Sequence, residues 1–273
     1  MAVALSVMPA PTAHVARQLH RGLSRRHGLS LASAFLALAA MVDVGAQPGV
    51  RRFPLADVTG LRPHNVAVSP ATLNGRAGVR MTMSDEARAR FTALTPAQRE
   101  EAARTGQTLE QLAVIDGISF GNGTIEAEIA GAPQTGTFEG ARGFVGIAFR
   151  VQEDLRTYDA FYLRPTNGRA DDQVRRNHAV QYISHPAWTW SRLRTEFPKK
   201  YESYVDLEPG VWTKVRIEVQ GTRARLFVHD QPQPTLIVND LRTGADGRGG
   251  LALWIDVGTE AHFRNVVVTP AQP

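Results

Sequence analysis

The chain has 273 residues, 43% of them apolar, with 31 lysine and arginine against 26 aspartate and glutamate and a net charge of +5. That length and apolar content can fill a core without covalent staples, and the complete lack of cysteine excludes disulfides, thiolate metal sites, a cysteine nucleophile and a lipid-modified cysteine anchor. The basic excess sits at the start: residues 1–46 hold four basic and one acidic residue, leaving 27 against 25, or +2, in the remainder. A charge that small calls for no nucleic-acid partner.

In chain order, Arg17, Arg21, Arg25 and Arg26 precede an uncharged apolar run from Leu29 to Val42, and Val44-Gly45-Ala46 closes it with small residues. Basic region, short apolar region and small-residue end predict an export signal over 1–46, cleaved after Ala46. The run falls short of the roughly twenty residues needed to span a bilayer. Ser24-Arg25-Arg26-His27-Gly28-Leu29 also has the outline of a twin-arginine motif, with glycine where an aromatic is usual, so both export routes stay open. The expected mature protein is residues 47–273, periplasmic or extracellular, with no membrane attachment after cleavage.

Strand patterning begins at 79–83. Thr95 as N-cap, Pro96 at the first helical position and the acids Glu100 and Glu101 then predict a helix over 95–104. A second short helix is expected at 106–113, giving a helical insertion over about 84–115. From Gly123 onward the period is two: Ile125, Ala127 and Ile129 share a face, as do Val215, Ile217 and Val219. The Gln220-Gly221 turn leads into Arg223–His229 and predicts a hairpin. Further strands are expected at 143–151, 158–164, 179–184, 235–238, 250–256 and 261–268. Many short strands with turn residues between them predict an all-β sandwich carrying a short helical insertion.

All five tyrosines lie between Tyr158 and Tyr204, together with Trp188 and Trp190. Between Tyr162 and Tyr182 run Arg164, Asn167, Arg169, Asp171, Asp172, Gln173, Arg175, Arg176, Asn177 and His178. Flat aromatic faces beside planar hydrogen-bonding groups suit a polyhydroxylated ligand, which shows C–H patches on its faces and hydroxyls at its edges. A solvated loop with structural tyrosines would carry the same residues. Strand alternation places Tyr158, Tyr162 and Arg164 on the face opposite Phe161 and Leu163. It places Arg150 beside Gly146 and Ala148, and Trp254 and Asp256 beside Ala252, on corresponding faces. The candidate binding residues are therefore Arg150, Tyr158, Tyr162, Arg164, Asn167, Arg169, Asp171, Gln173, Arg175, Arg176, Tyr182 and Trp254, with Arg150, Tyr162 and Arg164 on the floor of a groove.

Gly123–Ile129, Arg142–Phe149, Phe161–Pro165, Trp212–Ile217, Gly249–Trp254 and Phe263–Val268 resemble successive strands of the concanavalin A-like (LamG-like) jelly roll. More narrowly, they are similar to the bacterial exported domain of unknown function 1080, related to 3-keto-disaccharide hydrolases. The resemblance covers about 120–268 and implies a jelly-roll fold and carbohydrate as partner. The superfamily contains hydrolases, lyases and binding modules, and the paired-glutamate strand motif of its family-16 glucanases is absent here.

A glycosidase ordinarily needs one carboxyl to protonate the leaving oxygen and one group to activate water or attack. Asp171, Asp172, Glu196, Glu202 and Asp256 are the available carboxylates. The arginines around Asp172 favour its charged form and suit it to a base; Glu202, between Tyr201 and Tyr204, is expected in apolar surroundings as the acid. His178 is an alternative base. No zinc spacing is present and no cofactor is called for. Calcium is common in the resembled fold, with Asp256 or Asp240 as conceivable ligands, but no acidic loop argues for it. Hydrolysis of a bound glycan and binding without turnover both remain open at this level, as does an envelope interaction protein.

Overall fold

The computed structural model describes residues 49–136 and 140–271, all within one compact unit of the chain; the export signal expected over 1–46 lies outside the described residues. The first part of the fold is strand-rich: β1 (Arg51–Phe53), β2 (Leu61–His64), β3 (Val66–Leu73) and β4 (Arg76–Met83). Helices α1 (Asp85–Ala93) and α2 (Pro96–Thr105) follow, then β5 (Leu112–Phe120), β6 (Gly123–Pro133), β7 (Val145–Val151) and β8 (Tyr158–Leu163). Short helices α3 (Pro165–Gly168) and α4 (Gln173–Asn177) lead to β9 (Val180–His185), α5 (Trp190–Glu196) and β10 (Glu202–Ser203). The chain closes with β11 (Thr213–Gln220), β12 (Arg223–Val228), β13 (Leu236–Val238), β14 (Gly249–Ile255) and β15 (Thr259–Pro270).

The strands form two antiparallel sheets. The first runs β13-β12-β11-β6-β15-β4-β3, with β1 added beside β15, and the second runs β10-β9-β8-β7-β14-β5-β2. This is the jelly-roll sandwich that the alternation predicts. In the first sheet the period-two pattern is obeyed: Ile125 and Ala127 sit opposite Ile217 and Val215 and are buried, while Glu126 and Glu128 face outward. Between the sheets Phe120, Phe149, Phe161 and Tyr182 form a chain of ring contacts, with centroids 5.5 to 6.3 Å apart.

The second sheet behaves differently, because both of its faces are covered. Every residue of β7 and of β8 is buried. The same double cover explains β5, which the sequence does not reveal as a strand. Leu112-Ala-Val-Ile115 is buried without alternation, and an apolar run of that length reads as helix or strand alike.

The helix expected at 106–113 is therefore absent, and the helical segment ends at Thr105 rather than near 115. Thr95 does cap α2 in a capping box: its hydroxyl accepts from the Gln98 N–H at 3.3 Å while Gln98 Oε1 accepts from the Thr95 N–H at 2.8 Å. Gly106 stops α2 in the left-handed conformation, φ 70°. A β-carbon there would lie 2.0 Å from the Pro186 carbonyl oxygen, so this glycine also lets the helix pair dock on the turn that follows β9. Gly106→Ala should cost about 2 kcal/mol or more in chemical denaturation, from backbone strain plus that overlap. An unchanged midpoint would show that the docking is dispensable.

Candidate functional site

Register places a definite set of side chains on the face of the second sheet turned away from the sandwich core. β8 contributes Tyr158, Ala160 and Tyr162, opposite Gly146 and Ala148 of β7 and Gln181, Ile183 and His185 of β9. β14 adds Ala252 and Trp254, β10 adds Glu202 opposite Gln181, and β2 brings His64 opposite Leu112. The small residues matter here. A β-carbon at Gly146 would come within 2.6 Å of Tyr162 Cβ, and the Tyr162 and Trp254 rings meet across this strand with centroids 4.7 Å apart.

Two carboxylate–imidazole pairs stand at the two ends of β9. At one end Glu110 is buried and accepts at both oxygens. Oε1 takes Thr108 Oγ1 at 2.9 Å and His185 Nδ1 at 3.0 Å, and Oε2 takes the Tyr158 hydroxyl. Tyr158 Oη in turn accepts Trp254 Nε1 at 3.1 Å, and its ring stacks on His185. Burial, reinforced by the Glu110 charge, lifts the Tyr158 phenol well above its ordinary range. Burial likewise lowers His64, against the pull of Glu110.

At the other end Glu202 is 8% exposed and is held by three groups. Arg194 binds it through both oxygens, at 3.0 and 2.7 Å, Arg164 Nη1 lies 3.6 Å away, and His178 Nδ1 contacts Oε2. Burial holds His178 below the ordinary imidazole value, and the two arginines push the same way against Glu202. When the ring is neutral and donates through Nδ1 to Glu202, Nε2 is left as an acceptor.

Arg164 belongs to the Glu202 end of the face. Arg164 donates to Tyr162 Oη at 2.7 Å, Gln181 Oε1 at 3.2 Å and the His178 carbonyl at 3.3 Å; its Nε is buried with no hydrogen-bond partner. Asp256 follows β14 and feels Arg164, His185 and Glu110. Burial raises its carboxyl, against the Val257 N–H, Arg164 and His185. Above this end Trp190, 39% exposed, opens α5 with the Arg194 guanidinium 5.0 Å from its ring centre. Glu110, His185, Gln181, Arg194 and Trp190 are absent from the sequence-based candidates. For Glu110 the one available signal is parity with Leu112 and Val114, visible only once 112–120 is known to be a strand.

Several placements differ from the sequence expectation. Arg150 is fully buried and does not lie on this face. It adopts φ 56° where the β14 pairing shifts register, and this bulge breaks the alternation. Its guanidinium donates to the carbonyls of Gly121, Gly221 and Gly244 at 2.7 to 3.2 Å, tying three turns together. Tyr182 faces the sandwich core, opposite Phe161, and donates to Asp159 Oδ1 at 2.7 Å.

Tyr158 and Tyr162 are on the expected face but at most 2% exposed. Tyr162 already contacts Phe144, Trp254 and the Arg164 guanidinium, so its ring is not a free platform. Glu202 lies among cations and not in apolar surroundings.

The run after Arg164 bonds locally. Asn167 is buried and donates to the His178 carbonyl; Arg169 forks onto Asp206; Asp172 caps α4 by accepting from the Arg175 N–H at 2.9 Å. Gln173 bonds Asn177, Arg175 reaches the Thr166 carbonyl, Arg176 bonds Tyr204, and Asp171 is exposed. Asp172, spent as an exposed helix cap, is not gathered with His178 and Glu202.

Calcium does not fit the two aspartates considered for it. Asp240 Oδ2 is taken by Lys200 at 2.9 Å and Tyr201 at 2.7 Å, and Asp256 already feels the positive charge of Arg164. A cavity of about 390 Å³ lies elsewhere, on the outer face of the first sheet near Glu126, Lys214 and Asn265. Of its polar walls, Glu128 is already paired with Arg76 and Lys214 with Asp230. No helix among the described residues is long and apolar enough to cross a membrane.

No family model and no curated protein matches the chain. Among solved structures, the carbohydrate binding module CBM66 from Bacillus subtilis is similar with TM-score 0.50 at 12% identity, over 77% of this chain and 96% of that one. A putative glycosyl hydrolase from Parabacteroides distasonis gives 0.43 at 11% identity, over 82% and 95%. A Bacillus licheniformis beta-glucanase gives 0.41 at 14%, over 82% and 99%. At these identities it is the fold that is shared.

Because a second layer buries Tyr162, Tyr162→Ala should cost about 3–5 kcal/mol of stability, as for other large-to-small core changes, read as a lower denaturation midpoint. A loss under about 1 kcal/mol would mean the face is open after all. A pH effect follows from His178 and His64, whose folded-state values are lowered. The unfolded chain then binds more protons below about pH 6.5, so stability falls as pH drops through that value toward the folded-state values. Denaturation between pH 5 and 7.5 should show that slope, and His178→Gln should reduce it, His64 and His262, also lowered by burial, keeping the rest.

Proposed function

We propose that this protein is exported and binds a glycan at the edge of the outer face of its second sheet, beside His178, Asp256 and the exposed Trp190, where it hydrolyses a glycosidic bond. The observation that carries this reading is His178, held by Glu202 and beside Arg164, whose Nη1 donates to the His178 carbonyl at 3.3 Å, with burial lowering the imidazole and raising the Asp256 carboxyl. Both shifts run in the direction that an acid and a base for hydrolysis need. Asp256 gives its proton to the leaving oxygen, and His178 Nε2 takes one from water while Glu202 holds the ring through Nδ1. Trp190 offers an exposed ring for the apolar face of a sugar.

The jelly-roll fold shared with a carbohydrate binding module supports the ligand class. The sequence resemblance to the domain of unknown function 1080 and 3-keto-disaccharide hydrolases supports both the chemistry and an extracytoplasmic site of action. A second reading, a binding protein without turnover, is favoured by the two fully bonded carboxylates: Glu110 and Glu202 each spend both oxygens on protein donors.

Binding to a glycan array followed by a reducing-end assay on the hits tests both. Trp190→Ala should weaken the best hit about tenfold or more, since stacking and hydrogen bonds contribute on the order of 1–3 kcal/mol each. Asp256→Asn should abolish turnover and preserve affinity if the protein is a hydrolase. Wild-type binding with no released ends leaves the binding protein; silence across the array removes the glycan reading altogether. For export, the mature protein should begin at Gln47 in an osmotic-shock fraction, and an intact mass that retains residues 1–46 would refute it.

A further inference from the structure

Among the described residues six large apolar side chains are exposed: Val58, Val174, Trp190, Tyr204, Val211 and Ile237. Two of these are aromatic, and contacts link both to one pair, Glu202 with His178. Trp190 has the Arg194 guanidinium 5.0 Å from its ring centre, and Arg194 forks onto Glu202. Tyr204 follows Glu202 by two residues, a step of at most about 7 Å between Cα atoms. It has the Arg176 guanidinium 5.0 Å from its ring centre, and Arg176 precedes His178 by two residues. Glu202–His178 and Tyr204–Arg176 are thus successive contacts between the same two chain segments, in line with the β9–β10 pairing of Glu202 with Gln181 and Ser203 with Val180.

Single exposed aromatic rings are ordinary on protein surfaces and need no function. Tyr204 differs in being held in place while exposed. Arg176 Nη2 donates to its hydroxyl at 2.9 Å, the same guanidinium lies against the ring, and the residue is still 42% exposed. A ring fixed in this way has little orientation left to lose when a ligand stacks on it. Both arginines also keep donors free: among the described residues, Arg194 Nη1 and the Nε and Nη1 of Arg176 bond to no protein group. The combination of an exposed flat ring with spare guanidinium donors therefore occurs twice, once on each segment that meets the Glu202–His178 pair. Resting on the glycan reading above, we infer that Tyr204 with Arg176 forms a second sugar subsite, so that the ligand is an oligosaccharide with one residue on Trp190 and another on Tyr204. A single sugar uses one platform; a longer chain uses both, and its second contact is made within an already formed complex.

The test uses the full-length protein and a length series built on the best array hit, from monosaccharide to hexasaccharide, with affinities by calorimetry. Wild-type affinity should rise about tenfold or more along the series and level off once both rings are covered. Tyr204→Ala should weaken the longest oligomer about tenfold, with a loss that shrinks as the ligand shortens. Tyr204→Phe keeps the ring and should keep most of the length dependence. A wild-type affinity that is the same at every length overturns the inference while leaving the glycan reading intact, and this arm does not depend on any variant folding. A folded Tyr204→Ala protein with the wild-type length profile, or with an equal loss at every length, also overturns it. An array without a single hit sinks the parent reading, and this one with it.

Discussion

A sheet covered on both faces has to satisfy its polar side chains from within the protein, and the second sheet does so for most of them, with Arg164 Nε an exception. Burying an unpaired polar or charged group costs several kcal/mol, which is why such groups appear hydrogen-bonded or neutralised. Here the outer face of the sheet carries Tyr158, Tyr162, Trp254, Gln181, Arg164 and Glu202, all buried. Each phenol, amide and guanidinium finds a partner among its neighbours. The result is a connected network rather than a set of independent contacts, and it fixes rotamers across β8, β9, β10 and β14 together. A preorganised polar face of this kind suits recognition, because little ordering remains to be done when a ligand arrives.

The same constraint explains the far end of the sandwich. Arg150 is a full positive charge taken inside the protein, and burial lowers its ordinary value even with Asp159 nearby. It is stabilised by carbonyl oxygens from three separate turns, at Gly121, Gly221 and Gly244. A planar guanidinium with five donors can bridge such a set where an ammonium cannot. Arg150 therefore links the β5–β6, β11–β12 and β13–β14 connections. Arg164 makes a comparable set of bonds at the opposite edge, and there an anion, Glu202, shares the work.

The helical segment takes part in this arrangement instead of lying apart from it. Asn65 donates to the Glu110 carbonyl at 2.7 Å, and Ser84, the N-cap of α1, donates its N–H to the Asn65 carbonyl at 3.1 Å. Arg156 reaches the Gly106 carbonyl at the far end of α2. The two helices are mostly exposed, with Ala87 their one buried residue. Their anchoring is by caps and backbone bonds and not by an apolar face. They thereby brace the Glu110 end of the sheet.

Much of this architecture is legible in the sequence, for an identifiable reason. Where a strand has one wet face, alternation is enforced residue by residue, so β6, β11, β12 and β15 can be read directly, as can the Thr95 cap. The same alternation puts Tyr158, Tyr162, Arg164, Trp254 and Asp256 on one face. Local rules fail where the environment is set by distant chain. Leu112–Ile115 is apolar on both sides because two layers cover it, and its neighbour Glu110 goes unnoticed in consequence. Arg150 leaves its face because a bulge forms against β14, about a hundred residues away. Glu202 sits between tyrosines in sequence, but Arg194, Arg164 and His178 surround it in space. The sequence by itself determined the sandwich and the chemical types on its faces, because hydrophobic periodicity is local; partners, charge states and free rings were decided by tertiary structure, because electrostatics and burial depend on what distant strands bring within a few ångström.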